Sequence, residues 1–535
     1  MRKRSRFSTQ VQSHEFAALE SRHPYGALPG GNRFLQHVVS DKSTKNIGPS
    51  DLLTDTCWDN VLGFCDGAEL GKVVQTCRYL YVAGYQPELW RDLVLRKLGT
   101  NRLQEFRSSW RDTFVALYCP SAKDSSHVPM RMPGIYSDVF YRLHSCRAFA
   151  LPLAWMDANY GTVPRISIED MTSKVFTNNY EEPNQPVLIT KAAKSWKAFD
   201  KWQDLGYLLN ETKGSSFRAT SGLAPLPVDF SLKAYLDYAT LENLEEAPLY
   251  LFDRTALQPG SHLWNDYMAD LRVTCPWWDP KSNENEHDLF KVLGEGQRPD
   301  HTWLIIGPRR SGSVFHIDPN GTHAWNAAIV GRKRWIFYPP GATPPGVYPS
   351  EDGDEVALPL SLGEWLFQFW DEHVERMQSA PPHERPLECT AMPGDVMFVP
   401  HGWWHAVINL DKINVAITHN YVSGSNLGNV LRFLSKKENQ ISGCRDRLES
   451  IKPDRLYHEF VTSLDKYRHD LLQRGLSQKD WTCQAWRNTT TNEIKRSGRK
   501  RRKAEVAKSE RNITEKASLM ARAKTKEPSF SFSFL

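Results

Sequence analysis

The stretch Gly307-Pro-Arg-Arg-Ser-Gly-Ser-Val-Phe-His-Ile-Asp-Pro-Asn-Gly-Thr-His-Ala-Trp-Asn326 places two candidate metal ligands, His316 and Asp318, in one short run. Ser313-Val-Phe-His-Ile-Asp318 reads as a strand. Residues i and i+2 of a strand face the same side, so both side chains can meet one ion. Further on, Pro393-Gly-Asp-Val-Met-Phe-Val-Pro-His-Gly-Trp-Trp-His405 supplies a second imidazole at the start of another strand. Two imidazoles and one carboxylate on one face leave three of six coordination positions open. That is the facial arrangement of a non-haem iron(II) centre able to bind dioxygen.

The H-x-D spacing carries little weight by itself, because with 17 histidines about one such tripeptide arises by chance. His373-Val-Glu375 is a competitor. It lies in Glu364-Trp-Leu-Phe-Gln-Phe-Trp-Asp-Glu-His-Val-Glu-Arg-Met377, whose apolar residues have helical spacing, and on a helix i and i+2 point about 200° apart. That pair cannot chelate, whereas a strand pair can.

Outward from the His316 run, the chain carries short apolar segments separated by Gly, Pro and Asp. Val187-Leu-Ile-Thr, Leu249-Tyr-Leu-Phe, Trp303-Leu-Ile-Ile, Ala324-Trp-Asn-Ala-Ala-Ile-Val and Arg334-Trp-Ile-Phe-Tyr come first, then Asp395-Val-Met-Phe-Val, His405-Ala-Val-Ile-Asn-Leu and Ile413-Asn-Val-Ala-Ile-Thr. Their lengths and their β-branched and aromatic content predict a sandwich or barrel of short strands. On either side the spacing turns helical, over Leu52 to Leu98 and again over Leu427 to Leu472.

The chain's 535 residues suffice for two or three domains, and 40% hydrophobic with 11% aromatic content fits a globular protein. No apolar run reaches membrane-spanning length, so no membrane association is expected, and the basic N-terminus lacks the apolar core of a secretion signal. Nine cysteines without a C-x-x-C argue against a disulfide framework or a zinc finger and for reduced, mostly buried thiols. Charge is unevenly spread: Glu493 to Pro528 holds 13 Lys+Arg against five Glu, which leaves 54 basic and 57 acidic residues elsewhere. The body is slightly acidic and the tail strongly basic. Lys495-Arg-Ser-Gly-Arg-Lys-Arg-Arg-Lys503 has the form of a nuclear-import or nucleic-acid-binding segment, so a nuclear (or also cytoplasmic) location and a nucleic-acid partner are expectations.

The Gly307 to Asn326 stretch, Gly331-Arg-Lys333-Arg-Trp-Ile-Phe-Tyr-Pro and Pro393 to His405 together closely resemble the JmjC (jumonji-C) family. The similar branch is that of the arginine demethylase and lysyl hydroxylase once called the phosphatidylserine receptor. The resemblance runs from about Val187 to Asn429. It implies an α+β fold: a double-stranded β-helix, or cupin-like jelly-roll barrel, with flanking helices. It also implies Fe(II) held by His316, Asp318 and His405 as the catalytic centre, and 2-oxoglutarate as cosubstrate. Lys333 matches the lysine that pairs with the distal carboxylate, and a lysine pointing into a barrel calls for such an anion. Tyr250 and Ser313 match further contacts to that carboxylate. Asn326 and Asn420 match amides lining the site, and Thr418 a hydroxyl near the lysine. The implied reaction couples decarboxylation of 2-oxoglutarate to hydroxylation of a protein side chain. Its outcome is either lysyl hydroxylation or demethylation of N-methyl arginine or lysine, and the substrates expected include histones and RNA-binding proteins.

Glu69-Leu-Gly-Lys-Val-Val-Gln-Thr-Cys-Arg-Tyr-Leu80 and Glu88-Leu-Trp-Arg-Asp-Leu93 resemble an F-box, although Asp51-Leu-Leu-Thr-Asp stands where the usual Leu-Pro opening would be. An F-box implies a Skp-type ubiquitin-ligase adaptor as partner, and an alternative function in which the barrel only recognises targets. The expected organisation is a disordered basic N-terminus over 1–46, an F-box-like helical domain over 47–100 and a linker or helical connection over 101–160. The JmjC oxygenase domain then occupies 161–428, C-terminal helices 429–490 and a disordered basic tail 491–535.

Overall fold

The computed structural model describes residues 19–31, 53–119, 128–221, 227–241, 245–274, 288–351, 353–444 and 448–478. The basic segment Lys495 to Lys503 and the tail expected over 491–535 lie outside these residues.

Strands are numbered in chain order: β1 (Arg165–Ser167), β2 (Val187–Thr190), β3 (Phe217–Thr220), β4 (Val228–Phe230), β5 (Tyr250–Asp253), β6 (Thr302–Pro308), β7 (Gly312–His316) and β8 (His323–Val330). They continue as β9 (Lys333–Tyr338), β10 (Tyr348–Pro349), β11 (Val356–Ala357), β12 (Leu387–Ala391), β13 (Val396–Val399), β14 (Trp404–Asn409) and β15 (Ile413–Tyr421). One sheet has nine strands in the order β1-β2-β13-β8-β15-β6-β5-β3-β4, and a second has four, β12-β9-β14-β7. Only the β1–β2 pair in these sheets is parallel. From β6 to β9 and again from β12 to β15 successive strands alternate between the two sheets, as in a jelly roll, while β1 to β6 all belong to the larger sheet.

Strand alternation explains how nearly continuous apolar runs are used. Trp335 and Phe337 of β9 join Met397, Val399 and Val407 in a core between the sheets. Ile336 and Tyr338, one residue along, face the other way into a cluster with Trp365, Leu366 and Trp370. Those three lie on the helix Leu362–Ser379, which opens with Ser361 capping the Glu364 amide. Both faces of each sheet are covered, so neither face needs polar residues. The competitor His373 sits on this helix, fully buried, between the Tyr338 hydroxyl at 2.7 Å and Glu388 at 2.9 Å. Glu388 is itself ion-paired with Arg334. His373 is thus a satisfied core histidine.

Within 1–46, expected to be disordered, residues 19–31 pack against the folded body: Tyr25 is buried against Tyr81 and Tyr85 of the helical layer, and Glu20 pairs with Arg309 and Arg310 between β6 and β7. The segment 101–160, expected as a linker or helical connection, carries the helices Trp110–Tyr118 and Asp138–Ala148 and contributes to the core. Leu103 bridges to Phe230 at the β4 edge, and Trp110 lies edge-on to Phe106 and against Tyr238. The helices Asp55–Gly63, Gly67–Val73, Arg78–Gly84 and Pro87–Leu98 share that core, and buried Arg91 is salt-bridged to Glu245 at 2.6 Å. An exposed edge strand is a liability, and this helical layer covers one end of the larger sheet. At the other end of the chain, Leu427–Lys436, Pro453–Tyr467 and His469–Ser477 form a helical layer around Leu431, Phe460 and Leu464. No helix among the described residues is long and apolar enough to cross a membrane.

Candidate active site

His316 and His405 are direct partners in the antiparallel β7–β14 pair, which sets their rings 4.1 Å apart between centroids. Strand β7 ends at His316, so Asp318 lies just beyond it and not inside one continuous strand as expected. Its backbone is still extended (φ −58°, ψ 141°), and alternation holds: Ile317 turns into the outer apolar cluster while Asp318 turns with His316. One ligand atom from each of the three side chains falls within 4.8 Å of the others.

Ser313 reaches the same cavity by a different device. Three residues apart in a regular strand, Ser313 and His316 would face opposite sides. The β7–β14 register shifts between His405 and Val407, so Ser313 opposes Val407 and β7 carries one extra residue. This bulge turns both Ser313 and His316 into the cavity and sends Phe315 into the outer core. Gly312 makes room for it, because a Cβ there would lie 1.8 Å from the Val407 carbonyl oxygen.

The hydrogen bonds around the triad fit a bound cation. The Nδ1 of His316 lies 2.8 Å from the Val314 carbonyl, and that of His405 lies 3.1 Å from the Trp403 carbonyl. A ring N–H donating to a carbonyl fixes the tautomer and leaves the lone pair on Nε2, as metal-binding histidines require. The Asp318 Oδ2 is buried with no hydrogen-bond partner. Burial pushes the Asp318 carboxyl up to about 6, opposed by His316 and a hydrogen bond from Asn420. Burial also pulls His316 down to about 4, with His405 adding to the effect, and burial alone pulls His405 to about 4. Both rings are neutral at physiological pH, and one buried carboxylate lacks a counter-charge. A divalent cation supplies what is missing.

The other end of the cavity holds the opposite charge. Lys333 is 1% exposed, and its ammonium donates to the Tyr250 hydroxyl and to Asn409 Oδ1, each at 2.9 Å. Among the described residues no carboxylate pairs with it, and burial pulls its pKa down to about 7. A dicarboxylate spanning from the triad to Lys333 would neutralise a cation that the protein leaves unbalanced. Asn326 and Thr418 face each other across β8 and β15, and both line the cavity. The Asn326 Oδ1 is buried without a partner, while the Thr418 hydroxyl donates to the Trp325 carbonyl at 3.1 Å. Asn420 lines the cavity beside Asp318 and donates to the Thr322 hydroxyl at 2.9 Å.

The structure thus brings all nine residues singled out from the sequence, His316, Asp318, His405, Tyr250, Ser313, Asn326, Lys333, Thr418 and Asn420, to the lining of one cavity. It adds residues that the sequence reading missed. Phe252, Trp303 and Trp335 also line the cavity, and Asn409 holds Lys333. Period-2 counting was the available signal: Trp335 follows Lys333 by two, and Val407 and Asn409 follow His405 by two and four.

Comparison with known proteins agrees with this geometry. A family model described as a cupin-like domain matches residues 172–426. The chain is 38% identical over 428 residues to the arginine-specific demethylase JMJ22 of Arabidopsis thaliana, covering 79% of this chain and 78% of that protein. It is 33% identical over 308 residues to the bifunctional arginine demethylase and lysyl-hydroxylase psr-1 of Caenorhabditis elegans, covering 55% of this chain and 72% of that protein. It is 27% identical over 310 residues to the 2-oxoglutarate and iron-dependent oxygenase JMJD4 of Danio rerio, covering 51% and 65% respectively. With a triad that fits iron and a buried cation that fits the keto acid, the chain belongs to the cupin-fold JmjC family of iron- and 2-oxoglutarate-dependent oxygenases.

Proposed function

We propose that this oxygenase acts on protein side chains, hydroxylating lysine or removing N-methyl groups from arginine or lysine. One observation carries the oxygenase chemistry: the triad and the unbalanced Lys333 face the same cavity from different strands. Iron(II) and 2-oxoglutarate, when bound there, couple decarboxylation of the keto acid by dioxygen to hydroxylation of a C–H bond. The protein's own groups bind and orient. His316, Asp318 and His405 present their lone pairs on one face, and Lys333, Tyr250 and Ser313 hold the distal carboxylate. Phe252, Trp303 and Trp335 add apolar, aromatic lining to the cavity. The relatives named as arginine demethylases and a lysyl-hydroxylase support a protein substrate of this kind. Histones and RNA-associated proteins in the nucleus are the substrates proposed, with the basic tail serving nuclear import or nucleic-acid binding.

Peptides carrying lysine, methyl-lysine or methyl-arginine, incubated with the full chain, iron(II) and 2-oxoglutarate, test this reading. We expect either a gain of 16 mass units or a loss of 14 with formaldehyde release, and neither with His316→Ala. Modification of none of the three peptide classes, with succinate still formed, would overturn the proposed substrate class.

A second role, as an F-box substrate receptor, is supported by an apolar patch at the first helix of the N-terminal module. Phe64 is 88% exposed and Val61 46%. Such residues mark interaction sites when they cluster. The full chain is expected to retain a Skp-type adaptor on co-purification and to lose it with Phe64→Asp, a change at a solvent-facing position. No retention by the wild type would rule out the receptor role.

A further inference from the structure

Asn409 ends β14 directly opposite Lys333, the first residue of β9, so their side chains share one face and lie side by side. The amide is fully buried, and its orientation follows from a chain of donors. Ser311 is buried, and its hydroxyl proton is committed to the Pro308 carbonyl at 2.6 Å. That hydroxyl can therefore only accept from Asn409, whose Nδ2 lies 2.9 Å away. With Nδ2 held by Ser311, the Oδ1 must face the Lys333 ammonium, where it accepts at 2.9 Å. Two main-chain bonds brace the arrangement: the Asn409 amide donates to the Ser311 carbonyl, and the Arg310 amide donates to the Asn409 carbonyl, each at 2.9 Å.

An ammonium has three N–H donors. Tyr250 and Asn409 take two of them, and among the described residues no acceptor takes the third. Both acceptors are neutral. A carboxylate at position 409 would fit the same space, bond to the same ammonium and cancel its charge. An asparagine directs the ammonium while leaving its charge available.

We propose that Asn409, locked by Ser311, is a positioning residue for the cosubstrate: it aims Lys333 as an uncompensated cation and reserves one N–H for the distal carboxylate of 2-oxoglutarate. The burial that pulls Lys333 toward neutrality is consistent with a cation awaiting its anion. The inference rests on the family's use of 2-oxoglutarate and not on the proposed protein substrate.

Calorimetric titration of 2-oxoglutarate into the full chain loaded with manganese(II), without dioxygen or peptide, tests it. Asn409→Asp is expected to weaken 2-oxoglutarate binding about 100-fold, because the new carboxylate occupies Lys333. Asn409→Ala is expected to weaken it about tenfold, through loss of one bond to a charged group. Manganese affinity should stay within about threefold of wild type in both variants, since neither touches the triad. Binding by Asn409→Asp within threefold of wild type would overturn the proposal. Equal loss of manganese and 2-oxoglutarate binding would also overturn it, by showing a merely structural role. If Asn409→Asp does not fold, the alanine variant decides alone: a loss confined to 2-oxoglutarate supports the proposal and no loss refutes it.

Discussion

Asp318→Asn is expected to abolish succinate formation and at the same time to raise the melting temperature of the metal-free protein. The two effects share one cause. Without metal, the Asp318 carboxylate is enclosed with an unpartnered oxygen, and burial lifts its pKa from 3.8 to about 6. A bias of that size against the ionised form is worth at most about 3 kcal/mol. Between about pH 4 and pH 6 the native metal-free state binds more protons here than the unfolded state. Stability from this group is therefore present at low pH and lost as pH rises through 6. Asparagine removes the burden, so its advantage is full above about pH 6, vanishes below about pH 4, and amounts to a few degrees in melting temperature. Added manganese(II) or iron(II) reverses the ranking, because metal stabilises only the form that binds it. Melting curves of both proteins with and without metal, alongside a succinate assay, read this directly. A variant that is less stable than wild type without metal, or that is stabilised by metal to the same extent, would show that Asp318 is not a ligand.

Lys333→Met is expected to weaken 2-oxoglutarate binding by about 10² to 10³ while leaving the metal site intact. Truncating one partner of a buried charge pair costs about 2–5 kcal/mol, and methionine keeps the length and apolar character of the stem. The wild type carries a further signature. Its Lys333 has a pKa of about 7 without the anion, so at higher pH the ammonium must recover a proton before it can pair. Wild-type affinity for 2-oxoglutarate therefore falls as pH rises above about 7, and the methionine variant shows no such slope from this group. The metal-free variant is expected to be at least as stable as wild type, since a buried cation without a carboxylate partner has been removed. Titrations across pH 6–9 on both proteins check it. A variant with wild-type affinity would place the distal carboxylate elsewhere in the cavity.

Much of the site was legible in the sequence because its parts are local or strand-periodic. His316 and Asp318 stand two apart in extended chain, and His405 opens a strand of alternating character. Lys333 stands at the head of a strand-like run, and its role was supplied by family resemblance. Helical spacing likewise separated His373 from the true ligands, and the structure explains its burial through Tyr338 and Glu388. Ser313 was found by family resemblance and not by periodicity, since strand alternation alone would have turned it away from His316. The packing of 19–31 and of 101–160 was less legible for a related reason. Polar, irregular segments such as 19–31 read as loop, yet a few anchors such as Tyr25 and Glu20 suffice to fasten them to a finished surface.

By itself the sequence determined the strand-rich core and singled out the candidate triad of His316, Asp318 and His405, because side-chain alternation and donor chemistry are properties of short segments, and family resemblance added Lys333. Only the tertiary structure decided the rest. The register of β7 on β14 inserts the bulge that brings Ser313 round, and the facing of β14 and β9 sets Asn409 beside Lys333. Register is a relation between segments distant in the sequence, set by the packing of whole sheets, and no local pattern encodes it.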